Sequence, residues 1–210
     1  MIYICAYRDW ALKIYDQIKK VDCKLISSKD QFNNTKFNSD DVIFFIGWSW
    51  IVKDHIINNN RCICLHPSPL PKYRGGSPIQ HQIINGEKNS AVTFFKMNNK
   101  LDAGEILYQE PFLLEGKLTD IFDRIISIGT KGLLTLLRTK GTPIEQDESK
   151  ATYYKRRSPE ESEITIDEIK NKPTEYLYNK IRMLNDPYPN AYIKCKDGNR
   201  LYLTGAFYND

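Results

Sequence analysis

The chain reads as an α/β protein: a mostly parallel, covered sheet with a short helix-plus-hairpin appendage at its C-terminal end. Three observations predict this. Short apolar runs alternate with segments of helical period as far as Lys140. The apolar runs are continuous rather than alternating, as strands covered on both faces require. Beyond Pro143 the residues turn polar, and only one helical stretch and two strands follow, too little for a separate core. We therefore expect a main domain over residues 1–150 and an extension over 151–210 packed on it.

Residues 2–7 are an apolar run and predict the first buried strand. Residues 10–20 follow with a helical stripe of Trp10, Leu12, Ile14, Tyr15 and Ile18. A second strand is expected at 23–27, and the Asn-rich stretch 29–41 as a loop or weak helix. Residues 42–47 form the clearest buried strand, 51–58 a helix and 61–66 another strand. A helix over 77–85 stops at Gly86. Strands at 91–97 and 106–114 flank a turn-rich loop at 98–104. The longest helix is predicted over 119–140, ended by Gly141. A helix near 174–184 and two strands, 191–195 and 200–204, joined by Lys196-Asp197-Gly198-Asn199, complete the chain.

The composition sets bounds on function. Of 210 residues, 30 are basic and 26 acidic, and a net charge of +4 is too mild and dispersed to argue for nucleic acid. It suits a phosphorylated or polycarboxylate small ligand. No apolar stretch approaches a membrane span, and the short apolar start lacks a basic leader, so a cytoplasmic location is expected. Five scattered cysteines argue against a disulfide framework, and Cys62-x-Cys64 has no second pair at metal spacing, so no metal site is expected. No G-x-G-x-x-G follows the first strand, which argues against a dinucleotide.

Ligands of such sheets sit outside the carboxyl ends of the strands. Here those ends carry Gly47-Trp48-Ser49-Trp50 and His66-Pro67-Ser68. His66 stands where a strand gives way to a loop stiffened by Pro67, Pro69 and Pro71, well placed to exchange protons near neutral pH. Cys64, two residues earlier, shares its face. Gly75 and Gly76 permit close backbone approach to a ligand and release a helix. Asp102 lies on a tight loop and, close to a histidine, would raise its pKa and fix its tautomer. His55 and His81 fall within helical patterns and are expected in packing or surface roles. Trp48, Trp50, Tyr73 and Tyr154 are candidate stacking partners or core residues.

Taken together, His66-Pro67-Ser68-x-Leu70-Pro71-Lys72-Tyr73-Arg74-Gly75-Gly76-x-Pro78, Asn85-Gly86-Glu87 and Leu101-Asp102-Ala103-Gly104 resemble the folate-dependent formyltransferase family. Tyr154-Lys155-Arg156-Arg157-Ser158-Pro159 and Tyr188-Pro189-x-Ala191-Tyr192 look like its sugar-nucleotide N-formyltransferase branch, including the domain acting on UDP-4-amino-4-deoxy-arabinose. The resemblance implies a Rossmann-like formyltransferase fold and 10-formyltetrahydrofolate as the donor. His66 matches the catalytic histidine and Asp102 the aspartate that tunes it. Trp50, Ile51 and Val52 match backbone that contacts the pterin; Gly76, Asn98, Leu101 and Asp102 match further folate contacts. Ser68, Ser77 and Gln80 are candidate substrate contacts. The acceptor implied is the primary amine of a nucleotide-linked amino-deoxy sugar, a glycan precursor. Transfer RNA is disfavoured, since only about 50 residues follow Arg157 without a concentrated basic face. The two C-terminal strands have edges that could pair a second copy.

One position departs from the pattern. The family motif is Asn-x-His, whose amide stabilises the developing oxyanion, and Cys64 stands in its place. A thiol is a poor substitute for an amide donor. Three readings stay open: His66 with a backbone N–H or water carries the oxyanion, the chain is a slow enzyme or a non-catalytic binding module, or Cys64 itself takes part.

Overall fold

The computed structural model describes residues 1–186 and 188–209. Its centre is a six-stranded sheet. β1 (Ile2–Cys5), β2 (Lys24–Ile26), β3 (Val42–Ile46) and β4 (Arg61–His66) run parallel. Between them lie α1 (Asp9–Gln17), α2 (Lys29–Asn34) and α3 (Asp54–Asn59). The stretch expected as a loop or weak helix thus holds the short helix α2. Ser28 caps it, its hydroxyl accepting the Gln31 N–H at 3.1 Å. α3 starts three residues later than its apolar pattern suggests, because residues 51–53 stay extended or irregular.

After β4 the chain makes β5 (Arg74–Gly75) and α4 (Pro78–Ile84), then returns as β6 (Asn89–Lys96) and β7 (Ile106–Leu113). β6 lies antiparallel to β4, and β7 antiparallel to β6, so the order is β2-β1-β3-β4-β6-β7. Pro111 sits in β7, an edge strand, where a missing N–H interrupts no ladder.

The core lies on both faces of the sheet, which is why the strands read as continuous apolar runs. Ile4, Phe44, Ile63 and Phe94 face α1 and α5 (Leu118–Thr139). Their neighbours Tyr3, Cys5, Ile43, Phe45 and Cys62 face the opposite layer with Phe32. This is the two-residue alternation of a strand with both faces buried. Each such side chain contributes about 1.5–3 kcal/mol.

The C-terminal part comprises β8 (Tyr153–Tyr154), α6 (Ile166–Asn171), α7 (Thr174–Arg182), and a hairpin of β9 (Ala191–Lys194) and β10 (Arg200–Leu203). Ile164, Ile181, Met183, Leu184 and Ala191 join the same apolar cluster as α1 and α5. β8 was not evident in the sequence. It pairs in parallel with β5, so residues 153–154 strap the loop that follows His66. Among the described residues no helix is long and apolar enough to cross a membrane.

Candidate active site

A cavity of about 920 Å3 opens at the carboxyl ends of β3 and β4. Its wall includes Trp48, Trp50, Ile51, Val52, Cys64, His66, Gly76, Ser77, Gln80, Asn98, Leu101 and Asp102. The structure thus gathers residues far apart in sequence around His66. Ser68 is the exception. It is wholly buried and does not line the cavity, and its hydroxyl donates to the Lys72 carbonyl at 2.8 Å. It shapes the loop and does not reach a ligand there.

His66 is held at one ring nitrogen and faces a carboxylate with the other. Nε2 lies 2.8 Å from the Tyr73 carbonyl oxygen. A carbonyl can only accept, so the proton of the neutral ring sits on Nε2 and the lone pair on Nδ1. Nδ1 faces Asp102, whose Oδ2 is 3.7 Å away. At that distance the neutral ring makes no hydrogen bond, but a protonated ring gains a charge partner. Asp102 Oδ2 in turn accepts the Gly75 N–H at 2.8 Å. Asp102 adopts φ 48°, a left-handed conformation open to a short polar residue. The loop's Gly104 is dictated by space, since a Cβ there would lie 1.6 Å from the Lys96 carbonyl oxygen.

The two glycines of the loop serve another purpose than the one expected. A Cβ on Gly75 would meet the Tyr154 carbonyl oxygen at 2.3 Å, and one on Gly76 the Arg156 Cα at 2.4 Å. The backbone that approaches them on this side is the chain's own strap, while both glycines also line the cavity. Tyr73 is not a stacking surface for a ligand either. It is buried, stacks on Tyr154 with centroids 4.9 Å apart, and donates its hydroxyl to Glu87 at 2.8 Å. Asn85 donates to the Tyr154 hydroxyl at 3.2 Å, so Asn85-Gly86-Glu87 anchors this aromatic pair. His81 is structural, with Nε2 on the Lys155 carbonyl at 2.9 Å.

The Cys64 thiol lines the cavity and is bonded locally. Its Sγ donates to the Leu65 carbonyl at 3.6 Å. Burial first, then the charge of Asp102, pushes its pKa well above that of a free thiol, so it is uncharged.

Two sets of site residues escaped the sequence reading. Arg8, Lys155, Arg156 and Arg157 line the cavity and make its mouth cationic. For Lys155 to Arg157 the signal was the motif running from Tyr154 to Pro159, which carried a family likeness without marking these residues as cavity lining. Arg74, Gln146 and Glu148 lie behind the loop. The wholly buried Arg74 guanidinium donates to Gln146 at 2.8 Å, to both Glu148 oxygens at 2.7 and 2.9 Å, and to the Tyr153 hydroxyl.

Residues 18–137 match the model of the formyl transferase family. The chain belongs to the formyl transferase family. It is 38% identical over 156 residues to the methionyl-tRNA formyltransferase of Moorella thermoacetica, covering 71% of this chain and 48% of that protein. The chain thus spans about half the length of the curated relatives it matches. The methionyl-tRNA formyltransferase from Clostridium thermocellum superposes with a TM-score of 0.79 at 30% identity, covering 96% of each chain. A sugar 3N-formyl transferase, WlaRD, solved in the presence of dTDP and 5-N-formyl-THF, superposes at 0.67 with 22% identity, covering 87% of this chain and 78% of that one. This likeness is one of fold.

The formyl donor of the family is 10-formyltetrahydrofolate. The residues present fit such a group. Among the described residues, no hydrogen bond involves the peptide groups of Trp50, Ile51 or Val52, which line the cavity as an unpaired backbone edge. Such an edge matches the donors and acceptors of a pterin ring. Ile51 supplies backbone only: its side chain is 96% exposed. The indole Nε1 of Trp48 is buried in the same wall without a partner.

Proposed function

We propose that this chain transfers a formyl group from 10-formyltetrahydrofolate to the primary amine of a nucleotide-linked amino-deoxy sugar. The observation that carries the reading is His66. Its tautomer is set by the Tyr73 carbonyl, and its free Nδ1 faces Asp102 inside a cavity large enough for both reactants.

Bound folate would supply a formyl carbon open to attack. Trp50, Ile51, Val52, Gly76, Asn98 and Leu101 would hold and orient it. His66 Nδ1 would take the proton that the attacking amine must shed as its bond to the formyl carbon forms, and would return that proton to the folate nitrogen as the formyl–nitrogen bond breaks. The imidazolium so formed is then stabilised by Asp102 at 3.7 Å and by its Nε2–H bond to Tyr73. Protonated Nδ1 also faces the developing oxyanion, a task Cys64 does not share.

The cationic mouth favours an acceptor bearing phosphate. Among the described residues neither Lys155 nor Arg156 has a carboxylate partner, and the buried Nε of Arg157 has no partner at all. The Gln80 side chain is also buried, with its amide nitrogen unpaired in the cavity wall, and would take a sugar hydroxyl. Ser77 sits beside it, its hydroxyl accepting the Arg157 N–H at 3.1 Å. A second reading, methionyl-tRNA as acceptor, is favoured by the curated relatives.

The test is to incubate the protein with 10-formyltetrahydrofolate and a panel of nucleotide-linked amino sugars, with charged methionyl-tRNA in parallel. Release of tetrahydrofolate with a sugar nucleotide heavier by one formyl group is the expected result. Formylation confined to the tRNA would replace the sugar with the second reading. Folate turnover without any acceptor would make the chain a hydrolase.

A further inference from the structure

We infer that Gln146 is a positioning residue for Asp102, set in place by Arg74. The inference rests on the reading that His66 and Asp102 perform the transfer. Asp102 stands on an exposed turn: it holds a left-handed φ of 48°, Leu101 beside it is 61% exposed, and the loop's own side chains fix only its start, where Asn98 accepts the Lys100 N–H at 2.9 Å. The loop is held from outside. Gln146 Nε2 donates to the main-chain carbonyl of Asp102 at 2.9 Å and to that of Gly104 at 2.7 Å. One amide group thus spans both ends of the turn that presents the carboxylate.

The orientation of that amide is fixed as well. Its Oε1 accepts from Arg74 Nε at 3.1 Å and Nη2 at 2.8 Å. A guanidinium has only donors, so Oε1 must face Arg74 and Nε2 must face the loop. Glu148 and the Tyr153 hydroxyl take Arg74's remaining N–H groups. Arg74 is next to Gly75, whose N–H bonds Asp102 Oδ2 at 2.8 Å. The network therefore closes a ring. Arg74 fixes Gln146, Gln146 fixes the backbone of residues 102–104, and the Asp102 carboxylate returns to the backbone beside Arg74. Neither Gln146 nor Arg74 lines the cavity, so both act through Asp102 and touch no ligand.

Gln146→Glu tests this with little change of shape. It keeps an acceptor for Arg74 and removes both donors to the loop. We expect kcat to fall at least about tenfold while KM for the amine acceptor stays within about twofold. We expect hydrogen exchange of the Gly75 amide, followed by NMR, to speed up about tenfold, with amides of β1 and β3 unchanged. Gln146→Met serves if the glutamate variant does not fold. Unchanged Gly75 exchange in a folded Gln146 variant overturns the inference, as does faster exchange throughout the protein. Should the wild-type protein formylate no acceptor, the proposed function falls, and Gly75 exchange still decides the role of Gln146.

Discussion

Two segments meet over the cavity, and they hold it together in different ways. The loop 66–78 holds its reacting group through backbone: the Tyr73 carbonyl fixes the His66 ring, and the Gly75 N–H fixes the Asp102 carboxylate. The strap 144–157 holds that loop through the backbone pairing of β8 with β5 and, around it, through side chains, with Gln146 and Glu148 on Arg74, Thr152 Oγ1 on the Tyr73 N–H at 2.8 Å, and Tyr154 on Tyr73. The proposed reacting groups are thus held by main-chain bonds, and their position is set by a segment 70 to 80 residues away, as the contacts spanning 72, 74 and 79 residues show. A change in the loop should remove reaction and spare the fold. A change where the strap crosses the loop should cost stability first and reaction with it.

The largest expected effect lies in the loop. His66→Ala removes the proton acceptor and Asp102→Asn the charge that stabilises its protonated form. Each should lower kcat about a thousandfold, within the range set by general acid–base groups. The melting temperature should stay within a few degrees, because neither change opens the apolar core. Calorimetry beside turnover separates the two outcomes, and full activity in either variant removes the pair from the mechanism.

Gly76→Ala attacks the crossing instead. The added Cβ would lie 2.4 Å from the Arg156 Cα and 2.5 Å from its nitrogen. Both are backbone atoms that cannot rotate away, so the strap must shift. Overpacking of this kind costs about 1–3 kcal/mol. In a chain of this size that lowers Tm by roughly 3–9 °C. Gly86→Ala is the contrasting case. It has a positive φ of 76°, which Gly76 does not, but open space around it, and should lose only a conformational penalty of about 1 kcal/mol. A Gly76→Ala variant as stable as the wild-type protein would show that the strap does not press on the loop.

These differences explain how far the sequence could be read. Continuous apolar strands, helical stripes and the Pro- and Gly-punctuated loop are local signals, and they located the sheet, the long helix and the cavity's reacting side. His66 was legible because few residues combine a titratable ring with a rigid strand end. The strap was not. β8 spans two residues and carries no periodicity, and Gln146 looks like any polar residue until Arg74 is seen against it. Ser68 misled for the same reason: a hydroxyl in a site motif can face the ligand or the loop itself, and only the fold shows that it bonds Lys72. Gly75 and Gly76 announced a close approach without saying by what.

The smallest expected effect concerns Cys64, the residue in the loop's own strand that departs from the family motif. Its thiol is turned onto the Leu65 carbonyl, and burial together with the charge of Asp102 holds it uncharged. A raised thiol pKa means that thiolate is absent below the ordinary value near 9 and forms only at still higher pH. Nucleophilic work by Cys64 would therefore give a rate that climbs with alkalinity. Cys64→Ala should instead leave kcat within about threefold of wild type, with the same pH profile up to pH 9, since an uncharged thiol offers little to a transition state. A loss beyond about tenfold, or an alkaline rise seen only in the wild-type protein, would give Cys64 a part in catalysis. Insensitivity leaves the oxyanion to His66, and puts the loop's chemistry on one ring held by one carbonyl and one carboxylate.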